Sequence, residues 1–128
     1  MPETAISDHP VSTIASKYVI TVESNASLRT VVEHIIEGRV SLVVVDDSGS
    51  VVGVVSEHDV LQAIHDGADI DEVWAADIMS TDVVTAHGDE TIAEVAHRML
   101  ENRLRHVLVQ GDEGGVVSIR DILDALLS

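Results

Sequence analysis

Apolar residues along this chain follow two patterns, one with helical spacing and one with continuous runs. Helical spacing after Ser27 predicts an amphipathic helix that ends near Arg39 and buries one stripe of side chains, namely Leu28, Val31, Val32, Ile35 and Ile36. The apolar run 42–45, the polar turn 46–50 and the returning run 51–55 predict a strand hairpin. Because the runs are apolar on successive residues, we expect strands that are buried on both faces.

The same series of elements is predicted twice. The first copy begins with a strand-like run at 18–22, continues with this helix and hairpin, and ends in a helix capped by Ser56. The second copy has matching segments: a strand at 83–86, a helix from about Thr91 to Asn102, strands at 107–110 and 115–117 around a turn at 111–114, and a helix to Leu127. Each copy therefore has the order β-α-β-β-α, and the fold class is α/β (α+β).

A repeat in the sequence itself supports this duplication. Segment 53–61, Gly-Val-Val-Ser-Glu-His-Asp-Val-Leu, returns at 115–123 as Gly-Val-Val-Ser-Ile-Arg-Asp-Ile-Leu. Each copy of such a supersecondary unit is too small to bury its apolar face alone. We therefore expect the two copies to pack together, leaving two related clefts in which a function would reside.

The composition argues against several classes of function. Twenty-three acidic residues against seven Lys and Arg give a net charge of −16. This charge disfavours nucleic acids and anionic membrane surfaces as partners, because both are bound through Lys and Arg. The chain has no cysteine for a disulfide or a thiolate metal site. It also has no secretory signal and no membrane-spanning apolar stretch, which favours the cytoplasm.

The acidic connector at 66–76 invites a calcium interpretation that its spacing does not support. Aspartates stand at 66, 69 and 71, but the glycine falls at 67 and the distal glutamate of an EF-hand loop is missing. We therefore predict no metal site here and a solvated linker instead. Trp74 is predicted to anchor that linker to the core.

At this point the motifs resemble a known family. Two copies of Gly-Val-Val-Ser-x-x-Asp, preceded by Arg39–Val45 and Arg103–Val109, and the lead-in segments 12–16 and 76–80, are similar to tandem cystathionine-β-synthase (CBS) domains, the Bateman module. The resemblance covers residues 11–128 and implies two repeats packed as a pseudo-two-fold intramolecular pair. The boundaries it implies are a tail at 1–10, repeat 1 at 11–66, a linker at 67–76 and repeat 2 at 77–128. One departure is that Val44 and Leu108 stand where family members often have proline.

The resemblance also implies a function. Such modules bind adenosine-containing ligands (AMP, ADP, ATP or S-adenosylmethionine) in clefts to which both repeats contribute, with no catalytic cofactor, and magnesium would accompany ATP. Asp59 and Asp121 would accept hydrogen bonds from ribose hydroxyls, and Ser56 and Ser118 would approach phosphate. The remaining candidates flank the base or phosphate or form the cleft wall: Ile14, Thr21, Val40, Ser41, His58, Ile78, Thr85, Arg105, His106 and Arg120. Family members often associate into flat dimers and report the ligand to a partner protein or domain, so a homodimer and a separate effector protein are expected for this chain.

Two interpretations of the repeated Ser-x-x-Asp motif stay open. A serine followed three residues later by an acid is close to a helix capping box, which needs no ligand. A carboxylate has about four acceptor sites, so capping and ribose binding can coexist. Four of the seven basic residues fall near the predicted clefts, which favours a phosphate ligand: Arg39, Arg103, Arg105 and Arg120. Of these, Arg39 and Arg103 come late in their helices and equally suit a structural role there.

The two clefts are predicted to differ in nucleotide affinity, because Glu57 and His58 of the first copy correspond to Ile119 and Arg120 of the second. In the first cleft Arg105 and His106 can compensate, because they belong to the opposite repeat. Catalysis is not expected, since Glu94-x-x-His97 has no matching pair in the other copy and no nucleophile elbow or Walker loop is present. The alternatives to a nucleotide sensor are an S-adenosylmethionine-binding variant and a ligand-free dimerisation or interaction module using the terminal helix at 122–127.

Overall fold

The computed structural model describes residues 5–111 and 114–127, and within them it is a mixed α+β fold. Its helices are α1 (Leu28–Gly38), α2 (Glu57–His65), α3 (Ala75–Ile78), α4 (Ile92–Asn102) and α5 (Ile119–Ala125). Its strands are β1 (Thr21–Val22), β2 (Leu42–Asp47), β3 (Ser50–Ser56), β4 (Thr85–His87), β5 (His106–Gln110) and β6 (Val116–Ser118), and single 3-10 turns lie at Ile6–Asp8 and Val11–Thr13. The predicted fold class and the doubled β-α-β-β-α order are confirmed. The predicted turn at 111–114 includes residues 112 and 113, which lie outside the described residues, as do 1–4 of the predicted tail and Ser128.

Each repeat forms its own three-stranded sheet with the same topology. In the first, β1 pairs parallel to β2 and β2 pairs antiparallel to β3; β4, β5 and β6 repeat this order. Burial on both faces is confirmed for β2, where Leu42–Val45 are all buried. The prediction is wrong for β3, in which buried Gly53 and Val55 alternate with more exposed neighbours, as expected for a strand with one face on a core.

The chain forms two compact units that do not follow the order of the repeats in the sequence. One unit is Val19–Val83, and the other joins the residues before Val19 to those after Val83. The segment that follows the first repeat therefore packs on that repeat, and the segment that precedes it packs on the second. The boundaries predicted above follow the sequence, whereas the compact units follow the packing.

Backbone hydrogen bonds hold the segment after the first repeat in place. The N–H of Leu28 donates to the carbonyl of Val73 (2.8 Å), and the N–H of Ala75 donates to that of Ala26 (2.8 Å). Ala75 is completely buried, whereas the Trp74 side chain is 53% exposed. The prediction that Trp74 anchors this segment is therefore wrong, because the anchor is its small neighbour together with main-chain pairing.

An ion pair adds to the hold on this acidic segment. The Arg29 guanidinium donates from Nε to Asp71 Oδ1 (2.6 Å) and from Nη2 to Asp71 Oδ2 (3.0 Å). These contacts hold the pKa of Asp71 below its ordinary value. Asp71, one of the three aspartates that suggested a calcium loop, is thus already paired with the guanidinium of Arg29. No helix in the described part of the chain is long and apolar enough to cross a bilayer.

The glycine that opens each repeated motif is explained by close packing. A Cβ built on Gly53 would lie 2.8 Å from the carbonyl oxygen of Ser80, and one built on Gly115 would lie 2.7 Å from that of Ser16. Both contacts lie where a segment outside the sheet pairs with an edge strand. Ser80 pairs with Val54 of β3, and Ser16 pairs with Val116 of β6. The first position of the repeated motif is therefore glycine because another main chain approaches too closely to leave room for a side chain.

A second ion pair fixes the start of the second repeat. Arg98 on α4 donates from Nη1 to the Thr85 carbonyl (3.0 Å) and to Glu90 Oε2 (3.0 Å), and its Nη2 donates to Glu90 Oε1. Glu90 Oε2 also accepts from the N–H of His87 (2.7 Å). Both side chains are less than one-third exposed. Arg98, followed by the His87 N–H, lowers the pKa of Glu90 to about 2.

We predict that Gly53→Ala and Gly115→Ala each destabilise the fold by about 1–3 kcal/mol, the range typical of forced overpacking. The control is Gly49→Ala, because Gly49 has positive φ but nothing within 4 Å of a built Cβ. It isolates the cost of backbone strain, which Gly53→Ala does not incur. Urea unfolding of the three variants measures the difference, and a cost for Gly53→Ala no larger than that for Gly49→Ala contradicts the packing explanation.

We also predict that Glu90→Gln lowers the free energy of unfolding near neutral pH by about 1.5–3 kcal/mol, the usual value of charge-assisted hydrogen bonds. Since the pKa of Glu90 falls from 4.5 to about 2 on folding, its contribution is present above pH 4.5. The gap between the two proteins therefore narrows as the pH falls from 4.5 towards 2. Unfolding curves across this range test it, with exposed Asp89→Asn as the control. A gap that stays constant over that range contradicts it.

Candidate functional site

The two strand-to-helix junctions have the same internal hydrogen bonds. At the end of β6, the Ser118 N–H donates to Asp121 Oδ2 (2.8 Å) and the Asp121 N–H donates to Ser118 Oγ (3.1 Å). At the end of β3, Ser56 and Asp59 make the same pair of bonds, at 2.9 and 3.1 Å. The capping interpretation of the Ser-x-x-Asp motif is therefore confirmed at both sites.

The cap uses only one of the two carboxylate oxygens of each aspartate. Within the described residues, Oδ1 of Asp59 and Oδ1 of Asp121 accept no hydrogen bond, since the cap engages Oδ2 alone. Both side chains are partly exposed. A carboxylate oxygen that is partly exposed and carries negative charge can accept a hydroxyl from a ligand without loss of the cap.

The residues ahead of the central strand lie beside each cap. The N–H of Ile119 donates to the Arg105 carbonyl (3.0 Å), and His106 is opposite Ser118 in the β5–β6 register. In the first repeat the N–H of Glu57 donates to the Ser41 carbonyl (2.9 Å). The chain thus brings the predicted flanking residues to the predicted caps within each unit.

The predicted site residues divide into two sets of equal size, one for each compact unit. The unit with the second repeat holds Ile14, Thr85, Arg105, His106, Ser118, Arg120 and Asp121. The unit with the first repeat holds Thr21, Val40, Ser41, Ser56, His58, Asp59 and Ile78. Ile14 and Ile78 pack at the edges of the cores of these units, and Thr21 and Thr85 lie on the parallel strands, opposite Val44 and Leu108.

Two arginines have a structural role that sequence reasoning had left open. Arg39 and Arg103 end α1 and α4 in the left-handed conformation, with φ of 54° and 53°. Their N–H groups bond to carbonyls of the preceding turn, as in an αL helix end, which glycine usually occupies. This cap conformation was not foreseen from the sequence, because arginine gives no local signal for it.

Four arginines have no carboxylate partner within the part of the chain that the structure describes. Within residues 5–111 and 114–127, Arg39, Arg103, Arg105 and Arg120 form no ion pair, whereas Arg29 and Arg98 do. Three of these four, all but Arg39, belong to the unit that contains Asp121. Of these three, Arg105 lies at the Ser118–Asp121 junction through its carbonyl and Arg120 lies in the first turn of α5.

The two junctions differ in the charge of the residues beside each cap. Arg105 and Arg120 flank the Ser118 cap, while the equivalent positions at the Ser56 cap hold Ser41 and His58, with Glu57 between cap and histidine. A feature that the sequence did not reveal is a surface hollow of about 430 Å³ over α2. It is lined by His58, Leu61, Gln62, Ile64 and His65.

Sequence comparison finds related proteins across most of the chain. An uncharacterized 17.7 kDa protein of Acidianus ambivalens is 34% identical over 121 residues, covering 91% of this chain and 73% of that protein. An uncharacterized protein of Methanopyrus kandleri is 33% identical over 87 residues, covering 65% of this chain and 44% of that protein. The L-aspartate semialdehyde sulfurtransferase of Methanocaldococcus jannaschii is 33% identical over 110 residues, or 85% of this chain. This chain matches only 21% of that enzyme's length.

Structural comparison finds similar folds that contain adenosine derivatives. A CBS domain protein of Pyrobaculum aerophilum complexed with AMP has a TM-score of 0.78 at 28% identity, covering 92% of this chain and 98% of that one. The CBS domain pair of protein MJ0100, in complex with 5′-methylthioadenosine and S-adenosyl-L-methionine, has a TM-score of 0.80 at 28% identity, covering 90% and 93%.

The CBS domain family matches this sequence twice, at residues 11–66 and 75–128. These two stretches take in both capped junctions and both sheets. The chain therefore belongs to the CBS domain family, as a tandem pair of CBS domains.

Proposed function

We propose that this chain is a regulatory module that binds an adenine nucleotide at the Ser118–Asp121 junction and reports it to a separate effector protein. The observation that carries the proposal is the juxtaposition at this junction of a carboxylate oxygen without a hydrogen bond from the described residues and two arginines without ion pairs there. The AMP complex of the Pyrobaculum aerophilum relative supports it.

The chemistry of the junction suits a nucleoside phosphate. Ribose hydroxyls donate to Asp121 Oδ1 while Oδ2 keeps the cap, so binding need not weaken the helix. Arg105 and Arg120 supply planar guanidinium groups, which bind phosphate oxygens in bidentate fashion. Against a net charge of −16, an anionic ligand is repelled at long range, and a local positive cluster is what offsets that repulsion.

The Ser56–Asp59 junction is proposed to prefer a ligand with less negative charge. It offers the same free carboxylate oxygen, but Glu57 repels phosphate and His58 is positive only when protonated. S-adenosylmethionine carries a positive sulfonium, which Glu57 attracts. The MJ0100 pair in complex with S-adenosyl-L-methionine and 5′-methylthioadenosine supports S-adenosylmethionine as a second candidate ligand.

ADP and ATP, the latter with magnesium, are further candidates for the second repeat, because Arg103 adds positive charge in the same unit. We place the module in the cytoplasm and assign it no reaction of its own. The sulfurtransferase relative does not alter this assignment, since the match leaves about four-fifths of that enzyme uncovered.

We further propose that two copies of the chain associate through their helices. Ile36 on α1 and Leu100 on α4, which occupy equivalent positions in the two repeats, are 70% and 80% exposed. Leu61 on α2 and Leu123 on α5 are also exposed. Large apolar side chains at matching places on both repeats suit a second copy that presents the same residues. A ligand-free interaction module would use these same exposed side chains.

Titration calorimetry with AMP tests the nucleotide site. We expect binding to the wild-type chain and at least a tenfold loss for Asp121→Ala, because a charge-assisted hydrogen bond contributes about 1.5–3 kcal/mol. The matched control is Glu94→Ala, which removes the acid of another capping box, with Thr91, on α4. Each variant should lose about 1 kcal/mol of stability as a cap mutant, but only Asp121→Ala should lose AMP.

Two results would contradict the proposal. One is the absence of heat and of a thermal shift for the wild-type chain at millimolar AMP. The other is an equal loss of AMP affinity in the Glu94→Ala control, which would make Asp121 a cap and nothing more. Asp59→Ala reports on the other junction, where a smaller effect on AMP is expected.

Light scattering coupled to size exclusion tests the association. We expect a dimer for the wild-type chain and a monomer for Leu100→Glu, because a charge placed in an apolar contact must be desolvated without a partner. Val51→Glu is the control, since Val51 is an exposed apolar residue on β3 and not on a helix. A wild-type monomer at every concentration, or equal dissociation of the control, contradicts the proposal.

A further inference from the structure

Two short segments complete repeats to which they do not belong in sequence. We name residues 9–16 the N-terminal strap and residues 73–80 the linker strap. The N-terminal strap lies on the second repeat, where Val11 is completely buried and its N–H donates to the Glu90 carbonyl (2.7 Å). The N–H of Ile92 donates to the His9 carbonyl (3.0 Å). The linker strap makes the equivalent contacts on the first repeat.

Each strap pairs at its end with a residue that lies two positions before a capping serine. Ser16 exchanges two hydrogen bonds of 2.9 Å with Val116 of β6, and Ser80 exchanges bonds of 2.9 and 3.0 Å with Val54 of β3. In β6 the capping serine, Ser118, is the last of only three residues. Only Val117 therefore separates the residue that pairs with the strap from the capping serine.

We infer that the N-terminal strap and the Ser118–Asp121 junction form one coupled element, so that a ligand at this junction tightens the strap and release of the strap loosens the junction. By the same geometry, the linker strap is coupled to the Ser56–Asp59 junction. The state of the second repeat is thus transmitted to the start of the chain, and the state of the first repeat to the connection between repeats. The ligand half of this inference rests on the proposed function.

The physical basis is that β6 is held on both sides. On one side its three residues pair with His106, Val107 and Leu108 of β5, and on the other Val116 pairs with Ser16. Gly115, with φ of +138°, lets the strap backbone approach so closely that an added Cβ would collide with Ser16. A three-residue strand with so few pairings changes position when one side is released, and its last residue moves with it.

The strap is also an element that can open by itself. Its main burial is one side chain, Val11, supported by half-buried Ile14 and Ala15 at the edge of the core. Segments with few buried apolar contacts open at lower free energy than the unit on which they lie. Its opening therefore does not require unfolding of the second repeat, which is what a transmitting element needs.

Hydrogen exchange of the full chain, without ligand, tests the mechanical half. Ser16→Pro removes the N–H that donates to Val116, and Ser80→Pro is the matched variant for Val54. We expect Ser16→Pro to raise exchange about tenfold at 114–121 with no change at 50–59, and Ser80→Pro to do the reverse. Val11→Ala is a milder variant with the same expected pattern if Ser16→Pro fails to fold. Faster exchange in the repeat next to the mutation in sequence, or no change in either, overturns the inference.

Exchange in the presence of AMP tests the ligand half. We expect AMP to slow exchange at 9–16, and we expect this effect to be lost in Asp121→Ala and kept in Asp59→Ala. AMP binding detected by calorimetry without slower exchange at 9–16 overturns the coupling. Absence of AMP binding refutes the proposed nucleotide function instead, and the proline variants then decide the coupling without it.

Discussion

The hydrogen bonds between a serine and the aspartate three residues later set the position of everything near the candidate site. At each junction they satisfy otherwise unpaired N–H groups at the start of a helix. They also fix where the strand stops, so that Arg105 or Ser41 comes to lie beside the helix through its carbonyl. Because only one carboxylate oxygen is used, the same residue that holds the fold keeps an acceptor for a ligand. Structural and binding roles are thus compatible in one side chain.

The second constraint is close contact between main chains at Gly53 and Gly115. Each glycine contacts the backbone of a segment that lies far from it in sequence: Gly53 contacts Ser80, and Gly115 contacts Ser16. The result is that neither compact unit is the same as a repeat, and the second unit is assembled from both ends of the chain. Such an arrangement makes the N-terminal segment part of the second repeat's core through Val11. It also explains why glycine is retained at both positions although only Gly115 has a positive φ.

Local signals were sufficient to predict much of the fold. Ser27, Ser56 and Ser118 cap helices as expected, since capping depends on residues within one turn. The straps were not predictable, because an apolar residue such as Val11 indicates burial without indicating which repeat will cover it. The prediction that Trp74 is an anchor failed for a related reason. Its large apolar side chain favours burial, but main-chain pairing buries the neighbouring Ala75 instead. The left-handed Arg39 and Arg103 lacked the glycine or asparagine that usually marks such a helix end.

Charge gives the last argument for a ligand at the second junction. In a chain of 23 acidic and 7 basic residues, an arginine has many carboxylates to pair with, as Arg29 and Arg98 do. Arg105 and Arg120 make no such pair within the described residues, and both flank the same cap. Long-range repulsion between an anionic ligand and this protein decays within about 10 Å at 0.1 M salt, whereas contacts between guanidinium and phosphate act at hydrogen-bond distance. Binding of the proposed anionic ligand at this junction would therefore depend on a few direct contacts and very little on the field of the whole protein, which opposes it.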